Sequence, residues 1–203
     1  MLKPETDSMD KYLQLTEVVD FDHELVKSAA HSLMPGNDQI GYIKRAYEYV
    51  RDSFPHSFDL YKSGKTVSKI PCKASDVIVN GHGICYAKSH LLAALLRCSG
   101  IPAGFCYQKL LLSDDNPKIV LHALNAVYLN DLGRWIRLDA RGNNYGVNAQ
   151  FSEGNEMLAF PVRPELGEED GFVIYAAPSP FVINVLKKSD SITALKDNLP
   201  DTY

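Results

Sequence analysis

At 203 residues, with 45% hydrophobic, 10% aromatic and 23% charged positions, the chain has the make-up of an ordinary globular protein able to bury a sizeable core. One domain covering residues 1–203 is expected, with a core at about 38–150 and a C-terminal strand and helix at about 170–190. The 21 Lys and Arg against 25 Asp and Glu leave a net charge of −4, so the basic excess that a phosphate backbone requires is missing and no nucleic-acid partner is expected.

The opening MLKPETDSMDKYLQL carries acidic residues and Pro4 where a secretory signal needs a basic start and an apolar run. Every later hydrophobic run is interrupted before the roughly 20 residues of a membrane span, so no membrane association and a cytoplasmic location are expected. In that compartment Cys72, Cys85, Cys98 and Cys106 are expected as free thiols. From residue 38, DQIGYIKRAYEYVRDSF places Ile40, Ile43, Tyr47, Val50 and Phe54 at helical spacing, with Asn37 as a cap. Pro55, Gly64 and Pro71 mark 55–80 as loop with at most a short helix at 75–79, and His56 and Asp59 are assigned to turn chemistry there.

Residues 84–99, ICYAKSHLLAALLRCS, hold neither Gly nor Pro and are bounded by Gly81, Gly83, Gly100 and Pro102. They read as a helix buried on most sides. Three aromatic and branched runs follow at 103–112, 119–129 and 134–140, separated by DDNP and NDLG, and read as successive antiparallel strands. GEEDG at 167–171 reads as a solvated acidic loop, 171–176 as a strand, and 181–187 as a helix introduced by Pro178 and Pro180. Helices, a buried helix and then a meander argue for an α+β fold.

Cys85 stands at the first turn of the buried helix, where unpaired N–H groups and the helix dipole favour an anion such as a thiolate. A small buried cysteine is the plain alternative. His122 lies 37 residues later in an otherwise apolar strand, and Asp139 follows 17 residues on near the end of the next strand. Neighbouring antiparallel strands can set such an imidazole and carboxylate side by side, although a core histidine and a strand-end aspartate read equally well. Zinc is set aside because no Cys-x-x-Cys pair exists, and a redox pairing of Cys85 with Cys98 or Cys106 fails on the same ground. Arg141, Gly142 and Asn143 read as a tight turn.

The segments GHGICYAKSHLLAALLRCSGIPA, LHALNAVYL and WIRLDARGN resemble the transglutaminase-like superfamily of papain-like enzymes, in the form of its bacterial single-domain members. Its pattern is a Gly-x-Cys helix start, a Gly-Ile-Pro turn after the helix, a strand opening on His and a Trp-containing strand ending in Asp. Cys85, Gly100-Ile101-Pro102, His122, Trp135 and Asp139 match it in order, within about residues 70–145. One departure is Leu124 where family members often carry a Trp near the histidine.

The resemblance implies N-terminal helices and a Cys-bearing helix packed on an antiparallel sheet. It also implies acyl transfer at amide bonds of a peptide or protein, with Cys85 as nucleophile, His122 as acid-base and Asp139 orienting it, and with neither metal nor cofactor. Hydrolysis is expected over amine cross-linking; a fold kept only to bind peptide or protein is the remaining alternative. The oxyanion donors expected are the Cys85 N–H with Asn80 or His82, and Tyr107 and Gln108 are candidate groove residues. The oligomeric state is left open.

Overall fold

The computed structural model describes residues 1–34 and 38–203. Asn37, the expected cap, lies outside the described residues, and Asp38 stands at the N-cap of the helix that follows. After β1 (Lys3–Pro4), the helices are α1 (Glu24–Ser32), α2 (Gln39–Ser53), α3 (Ser57–Lys62), α4 (Ala74–Asn80) and α5 (Cys85–Cys98). Helix α2 buries Tyr42, Ile43, Ala46, Tyr47 and Val50, the face its spacing foretells.

In the segment 55–80, α4 is the short helix allowed at 75–79, and α3 corrects the loop reading of the rest. Six residues of mixed polarity give α3 almost no local signal, and tertiary pinning decides it instead. The Ser57 N–H donates to the Gly83 carbonyl at 3.2 Å and the Gly83 N–H to that of Pro55 at 3.4 Å, so the start of α3 is laced to the loop before Cys85. Helix α4 ends at Gly81, whose φ of 72° is the left-handed conformation that glycine adopts freely.

The expected meander is β2 (Ala103–Ser113), β3 (Asn116–Leu129) and β4 (Arg134–Leu138), and β5 (Glu169–Asp170) joins the far edge to give the order β4-β3-β2-β5, antiparallel throughout. The strand foreseen at 171–176 is shorter. Within it, β6 (Val173–Ile174) pairs in parallel with β1, and Tyr175 forms a bridge with Phe105. The acidic run 167–171 is not a solvated loop throughout. Glu168 is buried and takes hydrogen bonds from Leu111 and Arg163, while Asp170 pairs with Arg137 at 2.6 Å. Helix α6 (Pro180–Lys188) is capped by Ser179, and an unforeseen α7 (Ile192–Asp197) follows.

Every residue from Cys85 to Arg97 is buried, because α5 runs between α1, α2 and α4 on one side and β2 and β3 on the other. A second cluster of Tyr12, Cys106, Leu124, Ala126 and Ile174, with Trp135 against it, covers the opposite face of the sheet. At the far end of α5 the Arg97 guanidinium donates to the carbonyls of Gln14 (2.7 Å), Ala103 (2.7 and 3.1 Å) and Ala176 (2.6 Å), drawing three distant segments together. Among the described residues no helix is long and apolar enough to cross a membrane.

Candidate active site

Cys85 is the first residue of α5, nearly buried at 9% exposure. His122 comes from β3, opposite Gln108 of β2, and Asp139 directly follows β4. The meander register brings these two side chains together, with His122 Nε2 2.7 Å from Asp139 Oδ2 and both groups buried. The other carboxylate contacts are the Ala159 N–H to Oδ2 at 3.0 Å and the Arg141 N–H to Oδ1 at 3.1 Å. Burial alone would raise the Asp139 pKa; the adjacent His122 and these backbone donors outweigh it and hold it below the ordinary carboxylate range. Burial likewise opposes a charged His122, yet Asp139 first and then Cys85 beside the ring raise its pKa well above the usual histidine value. The edge of the Phe160 ring rests on His122 at 5.1 Å.

These shifts have opposite signs in stability. A raised His122 pKa stabilises the fold below about pH 6.5 and loses that contribution as pH climbs through the folded value; a lowered Asp139 pKa contributes above about pH 3.8 and is lost in acid. His56 and His90, whose pKa values burial lowers, pull the other way near pH 5–6, so the readout is a difference between proteins. The urea midpoint of wild type minus that of His122→Gln is expected to be largest between about pH 4 and 6.5 and to shrink steadily toward pH 9.

The two side chains expected as oxyanion donors have partners of their own. Asn80 Nδ2 donates to the Asp76 carbonyl at 2.7 Å, closing its own helix, and His82 Nδ1 is 2.9 Å from the Ser57 hydroxyl. The Cys85 N–H is itself taken, donating to His56 Nε2 at 3.2 Å. Turn chemistry therefore understates His56 and Asp59. His56 reaches the backbone of Cys85, while Asp59 holds the Arg141 guanidinium in a two-point pair at 2.7 and 2.9 Å and accepts from Asn144. Arg141 thus binds across the site and leaves Asp139 to His122. The buried Tyr107 hydroxyl accepts from the Ser179 N–H at 2.7 Å, and Gln108, also buried, donates to Asp170, so neither lines an open groove.

Lys88, one turn after Cys85, escaped the sequence reading. Fully buried, it donates to the carbonyls of Phe54 (2.6 Å), Arg141 (2.9 Å) and Arg51 (3.1 Å), tying the end of α2 to the loop after Asp139. Burial, aided by the Arg141 cation, pulls its pKa down to about 7, against the carboxylates of Asp139, Asp52 and Asp59. Gly142 keeps that clamp possible: at φ 106° an added Cβ would stand 3.1 Å from the Lys88 nitrogen. A lysine in a run as apolar as CYAKSHLLAALL was the one available signal, since a buried ammonium needs several acceptors.

The other thiols are placed differently. Cys98 ends α5, about 20 Å along the helix from Cys85 and beyond disulfide reach, and Cys106 lies in the second cluster with its pKa pushed up to about 12 by burial. All four cysteines are free.

Among solved structures the chain is similar to a candidate cysteine protease from Cytophaga hutchinsonii, at 21% identity and a TM-score of 0.50, covering 68% of this chain and 43% of that one. Weaker likenesses are a candidate protease from Parabacteroides distasonis (14% identity, TM-score 0.43, 76% of this chain and 30% of that one) and a TGase (16%, 0.47, 90% and 53%). The chain thus spans about half or less of the length of these structures, and the first likeness supports a common fold of mixed helix and antiparallel sheet. No curated protein matches it. The family model for the transglutaminase-like superfamily does, over residues 27–140, from within α1 to the residue after Asp139; on that match the chain belongs to the transglutaminase-like superfamily.

Proposed function

We propose that the protein is a thiol-dependent acyl-transfer enzyme acting on amide bonds of peptide or protein substrates, with Cys85, His122 and Asp139 as its triad and water as the acceptor. The observation that carries this reading is the buried 2.7 Å pair of His122 and Asp139, poised toward a cysteine at a helix start. The Cys85 thiolate attacks the carbonyl carbon and forms the C–S bond. His122 gives its proton to the departing amine, then takes one from the water that hydrolyses the thioester. Free thiols fit a reducing compartment, and we assign the cytoplasm.

Water is favoured over an amine by the position of the aromatic side chains. An amine must outcompete bulk water, which takes a dry, bulky-walled approach to the thioester. The single Trp is committed elsewhere, with Trp135 packed on Tyr12 at 4.8 Å and on Tyr128 at 5.4 Å, and Leu124 is buried in that same second cluster. In the presence of a glutamine-containing peptide and excess labelled primary amine, ammonia and the acid product are expected to form, with little label incorporated. Incorporation exceeding acid would assign the acceptor to the amine. No turnover of this peptide or of ordinary amide substrates would favour a module that binds peptide or protein without chemistry.

A further inference from the structure

Two buried histidines meet at Cys85, and their surroundings push them in opposite directions. His122 is held as a cation beside Asp139 and Cys85. His56, 7% exposed, has no carboxylate partner among the described residues; burial first, and then the cations of Arg141, Lys88, His122 and Lys62, keep its imidazole neutral. It is fixed in place by the lacing of residues 55–57 to Gly83 and by the Phe58 ring at 5.5 Å. A neutral ring whose Nε2 accepts from the Cys85 N–H must carry its proton on Nδ1, and Nδ1 is buried without a partner. Nothing but one N–H···N bond, worth about 1 kcal/mol, therefore holds the ring in this tautomer.

We propose that His56 is a further catalytic residue of this site, the side-chain donor that binds the oxyanion together with the Cys85 N–H. This rests on Cys85 being the nucleophile. The two nitrogens are 3.2 Å apart, on the residue that bears the thiol and on a side chain locked beside it. With the proton on Nε2, both become donors able to converge on one oxygen. The change is neutral overall: one proton leaves Nδ1 and one arrives at Nε2 through water of the adjoining cavity of about 270 Å³, whose walls include His56, Asp59, Gly142 and Asn144. As the C–S bond forms, the carbonyl π pair moves onto oxygen and takes the place of His56 as the acceptor of the Cys85 N–H. Collapse returns the pair and expels the leaving group. The cations that keep His56 neutral also favour negative charge on that oxygen.

The test compares two reactions of the same thiol. p-Nitrophenyl acetate acylates Cys85 through an oxyanion and releases p-nitrophenolate; iodoacetamide alkylates it by displacing iodide, with no oxyanion. His56→Met, similar in length but without an N–H, is expected to slow acylation roughly 10²-fold while leaving alkylation within about threefold, and His56→Gln, which keeps a donor, should recover most of the loss. Equal acylation by wild type and His56→Met, or a parallel fall in both reactions, overturns the proposal. Independently of any variant, ¹⁵N spectra of the wild-type histidines with acetyl-glycinal bound should move the His56 proton from Nδ1 to Nε2; a ring that stays Nδ1–H or becomes imidazolium overturns it as well. Wild-type Cys85 inert to both reagents while Cys98 reacts would instead remove the nucleophile assignment.

Discussion

Replacing Asp139 by Asn is expected to slow acyl transfer at Cys85 by about two to four orders of magnitude, read as the rate of p-nitrophenolate release or peptide deamidation. The charge that stabilises the His122 cation disappears, and the amide cannot satisfy the site. Oδ2 accepts from His122 and Ala159, and Oδ1 accepts from the Arg141 N–H. An amide nitrogen at the first position faces the Ala159 N–H and favours the wrong histidine tautomer; at the second it faces the Arg141 N–H. Either way one buried donor is orphaned, so a stability loss of about 1–3 kcal/mol should accompany the rate loss in urea titrations. Unchanged turnover would eliminate Asp139 from the mechanism.

The largest loss of stability is expected from Arg97→Met. The guanidinium is 3% exposed, lies over the Phe105 ring at 5.5 Å and supplies the donors for the carbonyls of Gln14, Ala103 and Ala176. Methionine fills much of the volume and leaves three acceptors without a donor. At about 1–3 kcal/mol for each unsatisfied group, partly relieved by relaxation, the cost is about 3–5 kcal/mol, or roughly 10 °C in melting temperature by calorimetry. Arg97→Lys should fall between the two, since one ammonium cannot span all three carbonyls. A melting point within a degree or two of wild type would mean that water replaces the guanidinium and that this end of the fold is loosely tied.

The elements legible in the sequence are those set by local pattern. The alternation of apolar positions defines α2, the unbroken Ala/Leu run defines α5, and turn residues separate β2, β3 and β4. The pairing of His122 with Asp139 and the place of Cys85 at a helix start were readable because the register of adjacent strands is a short-range property and the helix start is marked by Gly83. His56, Lys88 and Arg97 were not, since each acts through carbonyls or N–H groups brought from elsewhere in the chain, and a lone His after a Pro or an Arg in the last turn of a helix has an ordinary local reading. Helix α3 and the pairing of β1 with β6 were hidden for the same reason: neither has enough residues to declare itself without its partner.

That pairing of β1 with β6 governs the order in which the protein can be completed on the ribosome. Lys3 and Pro4 wait for Val173 and Ile174, and Arg97 lacks its last acceptor until Ala176 has emerged. At about 5–20 residues per second, roughly five to twenty seconds separate the synthesis of Cys85 from that of Ala176. By Leu129 every helix and strand that flanks α5 has been made, but the second cluster around Tyr12 and Cys106 still lacks Ile174. The nascent chain therefore offers apolar surface to chaperones for seconds before it can close, and its exposure ends with the arrival of a two-residue strand.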